Sequence, residues 1–341
     1  MPIAYKHPKN KGQLLPTLDE IVATEKPHGI PKEAAWIWGP DDEIGRLNLL
    51  TPEHIRSVLA AEGKHGLVSS LNWDITMPKQ PGFGRLAFDR QMVTHPELLV
   101  NDDVIRMNTQ SGSQLDGFRH FAHQSSGLFY NNLGQDVIAG GPGPGSGSSH
   151  CCGIQAASQH GIVGRGVLLD YARWAAEVGA QTYDAFAYRP IRLEEMLEVA
   201  AWENITFKKG DILLVRTGWM QQYNACLAAN DEDKLAIAAG EHPLSIGLDA
   251  GDEKLRAWLH DQYFSVVGGD QPAFEAWPPR STPTLHEYLL ACWGVLVGEM
   301  LDLEDLSAQC NKTGTYSFVF TSAPLNIPGG VASLANALCV L

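Results

Sequence analysis

The chain has 341 residues, of which 44% are hydrophobic and 19% charged, and its formal net charge is −14. This composition is typical of a globular protein, and the length allows a large hydrophobic core. The acidic balance, without any run of lysine and arginine, argues against nucleic acid and anionic membrane surfaces as partners. No apolar run approaches the roughly 20 residues that a membrane-spanning helix needs.

The six cysteines are scattered, apart from the adjacent pair Cys151-Cys152. The first ten residues lack the apolar segment of a secretory signal peptide. We therefore expect reduced thiols and a cytoplasmic location. A nucleophilic role for the cysteine pair beside His150 is the less favoured interpretation, because free cysteine is usually a small buried hydrophobe.

The first half of the chain begins with a polar, proline-rich stretch, and residues 1–60 are predicted to form an N-terminal extension or arm. Within it, Thr51 and Pro52 predict a helix start, and the helix should end near Glu62. Residues 76–88 contain several prolines and glycines and predict a loop. Strands are expected over residues 67–75, 90–94 and 104–109.

The second half alternates between apolar strand patterns and amphipathic helix patterns, which indicates an α/β fold. We expect residues 61–341 to form one domain. The glycine-rich residues 139–149 fit neither known phosphate-binding spacing and predict a mobile loop or lid. Strands are expected over residues 166–170, 210–216, 264–268, 293–297 and 316–321. Helices are expected over residues 192–202, 225–239, 252–261 and 283–290. The second has an acidic break at residues 231–233, and the last is capped by Thr282.

A dense polar cluster occupies residues 110–123 and has no helical apolar period, so we expect it on a strand end and loop. A buried polar group costs a few kcal/mol unless it finds a partner, so a hydrophobic core does not explain the cluster. A surface loop is the alternative, but we favour a functional site. The polar members are Gln110, Gln114, Asp116, Arg119, His120 and His123.

Two later residues have types that suit a metal site. His286 lies in the predicted helix after Pro283, and Glu299 follows the apolar segment 294–298. A carboxylate at the end of a buried strand needs a partner in order to be charged there. Glu299 alone is equally explained as an acid at a helix start. Taken with Asp116 and the histidines, it favours a site for Zn²⁺ or Mn²⁺.

Several common catalytic motifs are absent from the sequence. There is no GxSxG nucleophile elbow and no CxxC pair. His286-Glu287 begins like HExxH, but the fifth position is Leu290.

The polar cluster and the later pair match the motifs of a known family. The family motif HxGTHxDxPxH corresponds to residues 110–120, which run Gln-Ser-Gly-Ser-Gln-Leu-Asp-Gly-Phe-Arg-His, and a later His and strand-end Glu correspond to His286 and Glu299. The chain thus resembles the cyclase/kynurenine formamidase-like family of metal-dependent hydrolases from about residue 65 to its end. Residues 38–52 are similar to the opening of a longer subgroup. Supporting segments lie at residues 164–170, 210–218, 268–270 and 323–330.

The resemblance implies a swivelling β/β/α domain, often assembled as a homodimer or homotetramer. It also implies hydrolysis of a small-molecule amide or ester-like bond by a metal-bound water. Carried over by position, Asp116, His286 and Glu299 would be metal ligands. His120 would be the general base, with Glu299 the other expected catalytic residue.

The chain departs from the family motif at both histidines of HxGTH, which are Gln110 and Gln114 here. A glutamine oxygen is a much weaker ligand for Zn²⁺ than an imidazole. We therefore expect at most one divalent metal, with Gln114 as a weak fourth ligand and His120 as either base or ligand. Mn²⁺ is more favoured here than in the rest of the family.

The mechanistic hypothesis is a hydrolase of a small amide, lactam, lactone or ester, in which His120 transfers the proton and Arg119 or a Gln amide stabilises the oxyanion. Two alternatives remain open. One is a metal-independent cyclase or dehydratase that acts on a polyketide-like substrate through His120 and Asp116. The other is a non-catalytic small-molecule binder that kept the fold.

Overall fold

The computed structural model describes residues 15–139, 150–178, 182–240 and 243–341. The start of the predicted arm and nearly all of the predicted glycine-rich lid lie outside these residues. In the described residues no helix is both long enough and apolar enough to cross a membrane.

A nine-stranded sheet forms the centre of the fold. In chain order the strands are β1 (Val68–Ser70), β2 (Asp89–His95), β3 (Val100–Arg106), β4 (Gln114–Asp116), β5 (Leu128–Phe129), β6 (Leu133–Gly134), β7 (Ile162–Leu169), β8 (Arg189–Ile191), β9 (Ile212–Val215), β10 (Ile246–Leu248), β11 (Val266–Gly269), β12 (Leu296–Glu299), β13 (Ser317–Ser322), β14 (Ala332–Leu334) and β15 (Ala337–Val340). Their spatial order in the central sheet is β1-β15-β13-β7-β9-β11-β12-β4-β14.

Four neighbouring strands, β7, β9, β11 and β12, run parallel, and the strands on either side of them are antiparallel. Strand β9 is the continuous apolar run Ile-Leu-Leu-Val, and all four of its residues are buried. Such runs form the middle of a sheet that is covered on both faces. This mixed α/β architecture confirms the predicted fold class.

Helices cover the sheet. They are α1 (Leu18–Ala23), α2 (Pro52–Ala61), α3 (Gln135–Ala139), α4 (Ile154–His160), α5 (Tyr171–Glu177), α6 (Leu193–Trp202), α7 (Trp219–Ala229), α8 (Glu232–Ala239), α9 (Glu253–Asp261) and α10 (Glu304–Thr313), together with a π-helix over Glu287–Trp293. The predicted helix after Thr51 is confirmed, since the Thr51 hydroxyl accepts a hydrogen bond from the His54 amide (3.2 Å) and Pro52 takes the first helical position.

Two helix predictions were wrong in detail. The helix predicted over residues 225–239 with a break at 231–233 is two helices, and α7 already begins at Trp219. The break lies at Asn230 and Asp231, because Asn230 adopts a left-handed φ of 54° and Asp231 caps α8. The helix predicted over residues 283–290 is capped by Thr284 rather than Thr282, because the Glu287 carboxylate accepts from the Thr284 amide (2.7 Å) and the Glu287 amide donates to the Thr284 hydroxyl (3.3 Å).

Three strand predictions were wrong in extent. The π-helix continues through Trp293, so β12 begins only at Leu296. The strand predicted over residues 67–75 is the three-residue β1. The strand predicted over residues 104–109 is β3, which starts earlier and ends at Arg106. The polar cluster contributes more than a strand end, because Gln114–Asp116 is itself a strand of the central sheet.

Part of the predicted N-terminal arm packs into the core. Trp36 is 2% exposed and Leu47 is 0% exposed. The Trp36 indole N–H donates to the Ala291 carbonyl (2.8 Å), and the Ala35 amide donates to the Cys292 carbonyl (2.8 Å). These contacts tie the segment to the π-helix. The proposed boundary at residue 60 stays a prediction.

Candidate active site

The site is built where β4 and β12 lie side by side. In the antiparallel register of these strands, Gln114 lies opposite Glu299, and Asp116 lies opposite Val297. Because side chains alternate along a strand, Gln114 and Asp116 project from the same face of the sheet. The Gln114 amide Nε2 donates to Glu299 Oε2 (2.7 Å) and to Asp116 Oδ2 (3.4 Å). The strand pairing therefore brings two buried carboxylates together.

His286 reaches these carboxylates from the turn that precedes the π-helix. Its Nε2 lies 3.1 Å from Glu299 Oε1, and its Nδ1 lies 2.8 Å from Glu275 Oε2. Burial by itself lowers the pKa of His286, but the carboxylates of Glu275 and Glu299 outweigh it and raise the pKa well above the ordinary value. The imidazole is thus held between two carboxylates, and the Glu275 carboxylate fixes the orientation of the ring.

Asp116 is completely buried. Its Oδ1 accepts a hydrogen bond from Gln110 Nε2 (2.8 Å), and its Oδ2 accepts one from Gln114 Nε2. Burial raises the pKa of Asp116 despite the opposing effect of the neighbouring His120. A buried carboxylate of this kind is stabilised by a cation placed next to it.

His120 lies at the edge of the cluster, and 19% of its side chain is exposed. Burial lowers the pKa of His120, so the neutral ring predominates near pH 7. Its Nδ1 lies 3.1 Å from Gln110 Nε2, and its Nε2 lies 3.7 Å from Asp116 Oδ2. The Gln110 amide donates to Nδ1 only when that nitrogen carries a lone pair, so the proton of the neutral ring sits on Nε2.

The residues fit a divalent metal ion. One ligand atom each from Asp116, His120 and His286 lies within 4.8 Å of the other two. Glu299 adds a second buried carboxylate beside His286. Carboxylate oxygen and imidazole nitrogen together suit Mn²⁺ or Zn²⁺. The hydrogen bond from His286 to Glu275 is the kind of support that metal-binding histidines have.

Gln114 turns its amide nitrogen toward the two carboxylates. Its Oε1 instead accepts from Arg85 Nη1 (3.4 Å). In this arrangement Gln114 acts as a hydrogen-bond donor to the site. Its role as a weak fourth metal ligand stays a prediction, as do the ligand and base assignments of Asp116, His286, Glu299 and His120.

Two members of the sequence cluster point elsewhere. The Arg119 guanidinium donates to the backbone carbonyls of Gly329 (2.6 Å) and Val137 (3.3 Å). His123 Nδ1 lies 2.9 Å from the Ser126 hydroxyl. Both side chains thus tie the cluster to neighbouring loops.

The sequence analysis missed two residues of the site, Glu275 and Arg85. Glu275 follows β11 in a stretch without a motif, and it is fully buried against His286. Arg85 comes from the loop predicted over residues 76–88, and its Nη1 also donates to the Gln110 carbonyl (2.7 Å). Neither residue stands within a spacing that the sequence analysis could recognise.

Aromatic side chains surround the polar cluster. The Phe121 ring centroid lies 5.4 Å from that of His286. The Phe83 ring meets the Trp277 ring edge to face at 5.2 Å, and the Arg85 guanidinium carbon lies 4.9 Å from the Phe83 ring centroid. Apolar, planar rings therefore lie on more than one side of the site.

Residues 70–276 match the model of the Cyclase family, described as "Putative cyclase". The matched range is more than half of the chain and includes Asp116, His120 and Glu275, but it ends before His286 and Glu299. A search of curated proteins finds no match.

Solved structures of similar fold are known. The crystal structure of a novel cyclase is 26% identical, with a TM-score of 0.72 over 89% of this chain and 98% of that one. Isatin hydrolase A from Labrenzia aggregata, bound to benzyl benzoate, is 17% identical, with a TM-score of 0.53 over 84% of this chain and 98% of that one. Isatin hydrolase A from Ralstonia solanacearum is 15% identical, with a TM-score of 0.54 over 85% of this chain and 97% of that one. The likeness to the two isatin hydrolases shows the fold alone.

Proposed function

The chain belongs to the Cyclase family, and from this premise we propose that it is a metal-dependent hydrolase of small acyl compounds. The observation that carries the proposal is the convergence of Asp116, His120 and His286, whose ligand atoms lie within 4.8 Å of one another. A carboxylate and two imidazoles this close together suit a metal ion with a proton-transfer group beside it, and hydrophobic packing has no use for them.

We assign metal binding to Asp116, His286 and Glu299. A divalent ion held there supplies Lewis-acid polarisation of a carbonyl and a lowered pKa for water. Glu275 holds the His286 ring through Nδ1 at 2.8 Å. It therefore acts as a positioning residue, because a histidine ligand has to keep one nitrogen pointed at the ion.

His120 carries the proton transfer in this proposal. Burial keeps the ring neutral near pH 7, and the Gln110 amide occupies Nδ1. In this arrangement Nε2 carries the proton of the neutral ring, so it can donate a proton to the leaving nitrogen or oxygen and can accept one only after that donation. Its partial exposure leaves the ring accessible to a substrate from the solvent side.

The substrate class follows from the chemistry of the site and its surroundings. Metal-assisted hydrolysis acts on a polarised carbonyl, as in an amide, lactam, lactone or ester. The aromatic rings of Phe83, Phe121 and Trp277 favour a planar substrate. The isatin hydrolases, which share the fold, are named for a planar bicyclic lactam, and an aryl lactam is the first substrate to test.

The test is metal analysis of the purified protein, followed by turnover of isatin, a simple lactone and an aryl ester with and without a chelator. We expect one divalent ion per chain, and loss of hydrolysis on chelation that Mn²⁺ or Zn²⁺ restores. Full activity of the metal-free protein would overturn the proposal and favour metal-independent chemistry. Absence of turnover with a metal-loaded protein across the panel would favour a binding protein.

A further inference from the structure

Arg85 is a half-buried cation beside the site that the proposed chemistry has not used. Its Nη1 donates to the Gln110 carbonyl (2.7 Å) and to Gln114 Oε1 (3.4 Å). Its guanidinium also lies over the Phe83 ring. Since Gln110 and Gln114 both donate to Asp116, a single glutamine side chain separates Arg85 from that carboxylate.

Arg85 has no carboxylate within ion-pair distance in the described part of the chain. Two of the buried arginines, Arg165 and Arg216, differ in this respect. Arg165 pairs with Glu62 and Asp211, and Arg216 pairs with Asp170 and Glu304. A partly desolvated guanidinium without an anion is costly, and its remaining N–H groups form a planar fork that suits a carboxylate.

The reaction class supplies such an anion. In acyl hydrolysis, water adds across the C–N or C–O bond. The carbonyl carbon keeps the oxygen of the water and leaves as a carboxylate, while the leaving nitrogen or oxygen takes up a proton. Every substrate of this class therefore yields a carboxylate where the substrate had a neutral carbonyl.

We propose that Arg85 binds the carboxylate of an aryl acid, the acid half of the product, within the site. The role of Arg85 in binding a reaction product rests on the proposed hydrolase function. The binding of a carboxylate by Arg85 is inferred from the contacts of this residue and is measurable without turnover.

The neighbouring Phe83 supports an aryl acid over an aliphatic one. Phe83 adopts a left-handed φ of 62°, which is uncommon for a bulky residue. In this conformation its ring contacts both the Trp277 ring and the Arg85 guanidinium. Backbone strain of this kind concentrates at functional sites. Arg85 beside Phe83, whose ring also meets Trp277, offers a charged and a flat surface to one ligand.

The experiment is calorimetric titration of the metal-loaded and the chelated protein with two probes of the same shape. Phenylglyoxylate carries the carboxylate, and 1-phenyl-1,2-propanedione carries a methyl group in place of one carboxylate oxygen. We expect the wild-type protein to bind phenylglyoxylate more tightly. Arg85→Met should weaken phenylglyoxylate binding about tenfold and leave the dione unaffected, since only the carboxylate loses charge-assisted hydrogen bonds.

Two further variants complete the design. Arg90→Met removes an exposed arginine whose ion pair with Asp103 is 3.8 Å long, and it should bind both probes as the wild type does. Arg85→Lys keeps the charge but loses the planar fork, so its affinity for phenylglyoxylate should fall severalfold. This variant gives a readout if Arg85→Met fails to fold.

Unchanged phenylglyoxylate affinity in Arg85→Met, or in Arg85→Lys if Arg85→Met does not fold, would overturn the inference. Failure of the wild-type protein to prefer the anion would overturn it as well. If no lactam or ester is hydrolysed and Arg85→Met still loses the anion, the hydrolase proposal falls and the anion site stands.

Discussion

Gln114 and Glu299 face each other across neighbouring strands, and the Gln114 amide donates a 2.7 Å hydrogen bond to the Glu299 carboxylate. An amide hydrogen thus occupies the position where the family motif has an imidazole. The glutamine satisfies the carboxylate by hydrogen bonding without adding a strong metal ligand. This exchange is one of the chemical differences between the present chain and its family motif, and it can be reversed by one substitution.

The first prediction concerns Gln114→His. We expect metal affinity to rise on the order of tenfold, because imidazole binds Zn²⁺ and Mn²⁺ better than a neutral amide does. The measurement is competition with a chelator of known affinity. Gln124→His, at an exposed glutamine, is the matched control and should leave the affinity unchanged. Equal affinities for wild type and Gln114→His would place the metal away from β4.

The second prediction concerns Glu275→Gln. This change keeps the shape but weakens the hydrogen bond that orients His286, so metal affinity should fall about 10–100-fold. Thermal stability without metal serves as a second readout. Glu253→Gln, at an exposed glutamate, should change neither property. Metal binding that is insensitive to Glu275→Gln would show that His286 is not a ligand.

The third prediction concerns His120→Gln. We expect kcat to fall about 10²–10⁴-fold while the metal content stays the same, because His120 is assigned to proton transfer and not to ligation. Steady-state kinetics and metal analysis of the same preparation measure both. His95→Gln, on the exposed β2, is the matched control. Loss of the metal together with the activity would instead make His120 a ligand.

The fourth prediction concerns the pH dependence of stability and lies far from the site. Burial raises the pKa of Glu203 to about 9, although its carboxylate accepts a hydrogen bond from the Asp170 amide (2.9 Å). Because the pKa of Glu203 in the folded state lies above the ordinary value, the neutral carboxyl group makes its full contribution to the unfolding free energy at acidic pH. This contribution is lost as the pH rises toward 9.

Glu203→Gln stays neutral at every pH and should remove this loss. Between pH 5 and pH 8 the unfolding free energy of the wild type should fall more than that of the variant, by on the order of 2 kcal/mol. Urea unfolding at the two pH values measures it. Glu198→Gln, at an exposed position of α6, should follow the wild type. Parallel pH profiles for wild type and Glu203→Gln would contradict the buried neutral acid.

Local sequence determined the elements whose signals lie within a few residues of one another. The Thr51 cap and Pro52 specify the start of α2, and the apolar run Ile-Leu-Leu-Val specifies the buried strand β9. The family motif singled out Asp116, His120, His286 and Glu299, and the structure brings all four together. Capping and apolar periodicity depend on residues that are close together in the chain, so both signals can be recognised in a single sequence.

Only the tertiary structure decided what surrounds those residues. The hydrogen bond between Gln114 and Glu299 joins residues 185 positions apart, and it exists because β4 pairs with β12. The same pairing places the Gln114 amide where it donates to both Asp116 and Glu299. Glu275 lies in the stretch after β11 and Arg85 lies in a loop, and neither residue belongs to a motif. Strand order and loop position depend on the packing of the whole sheet, and no local pattern of residues contains that information.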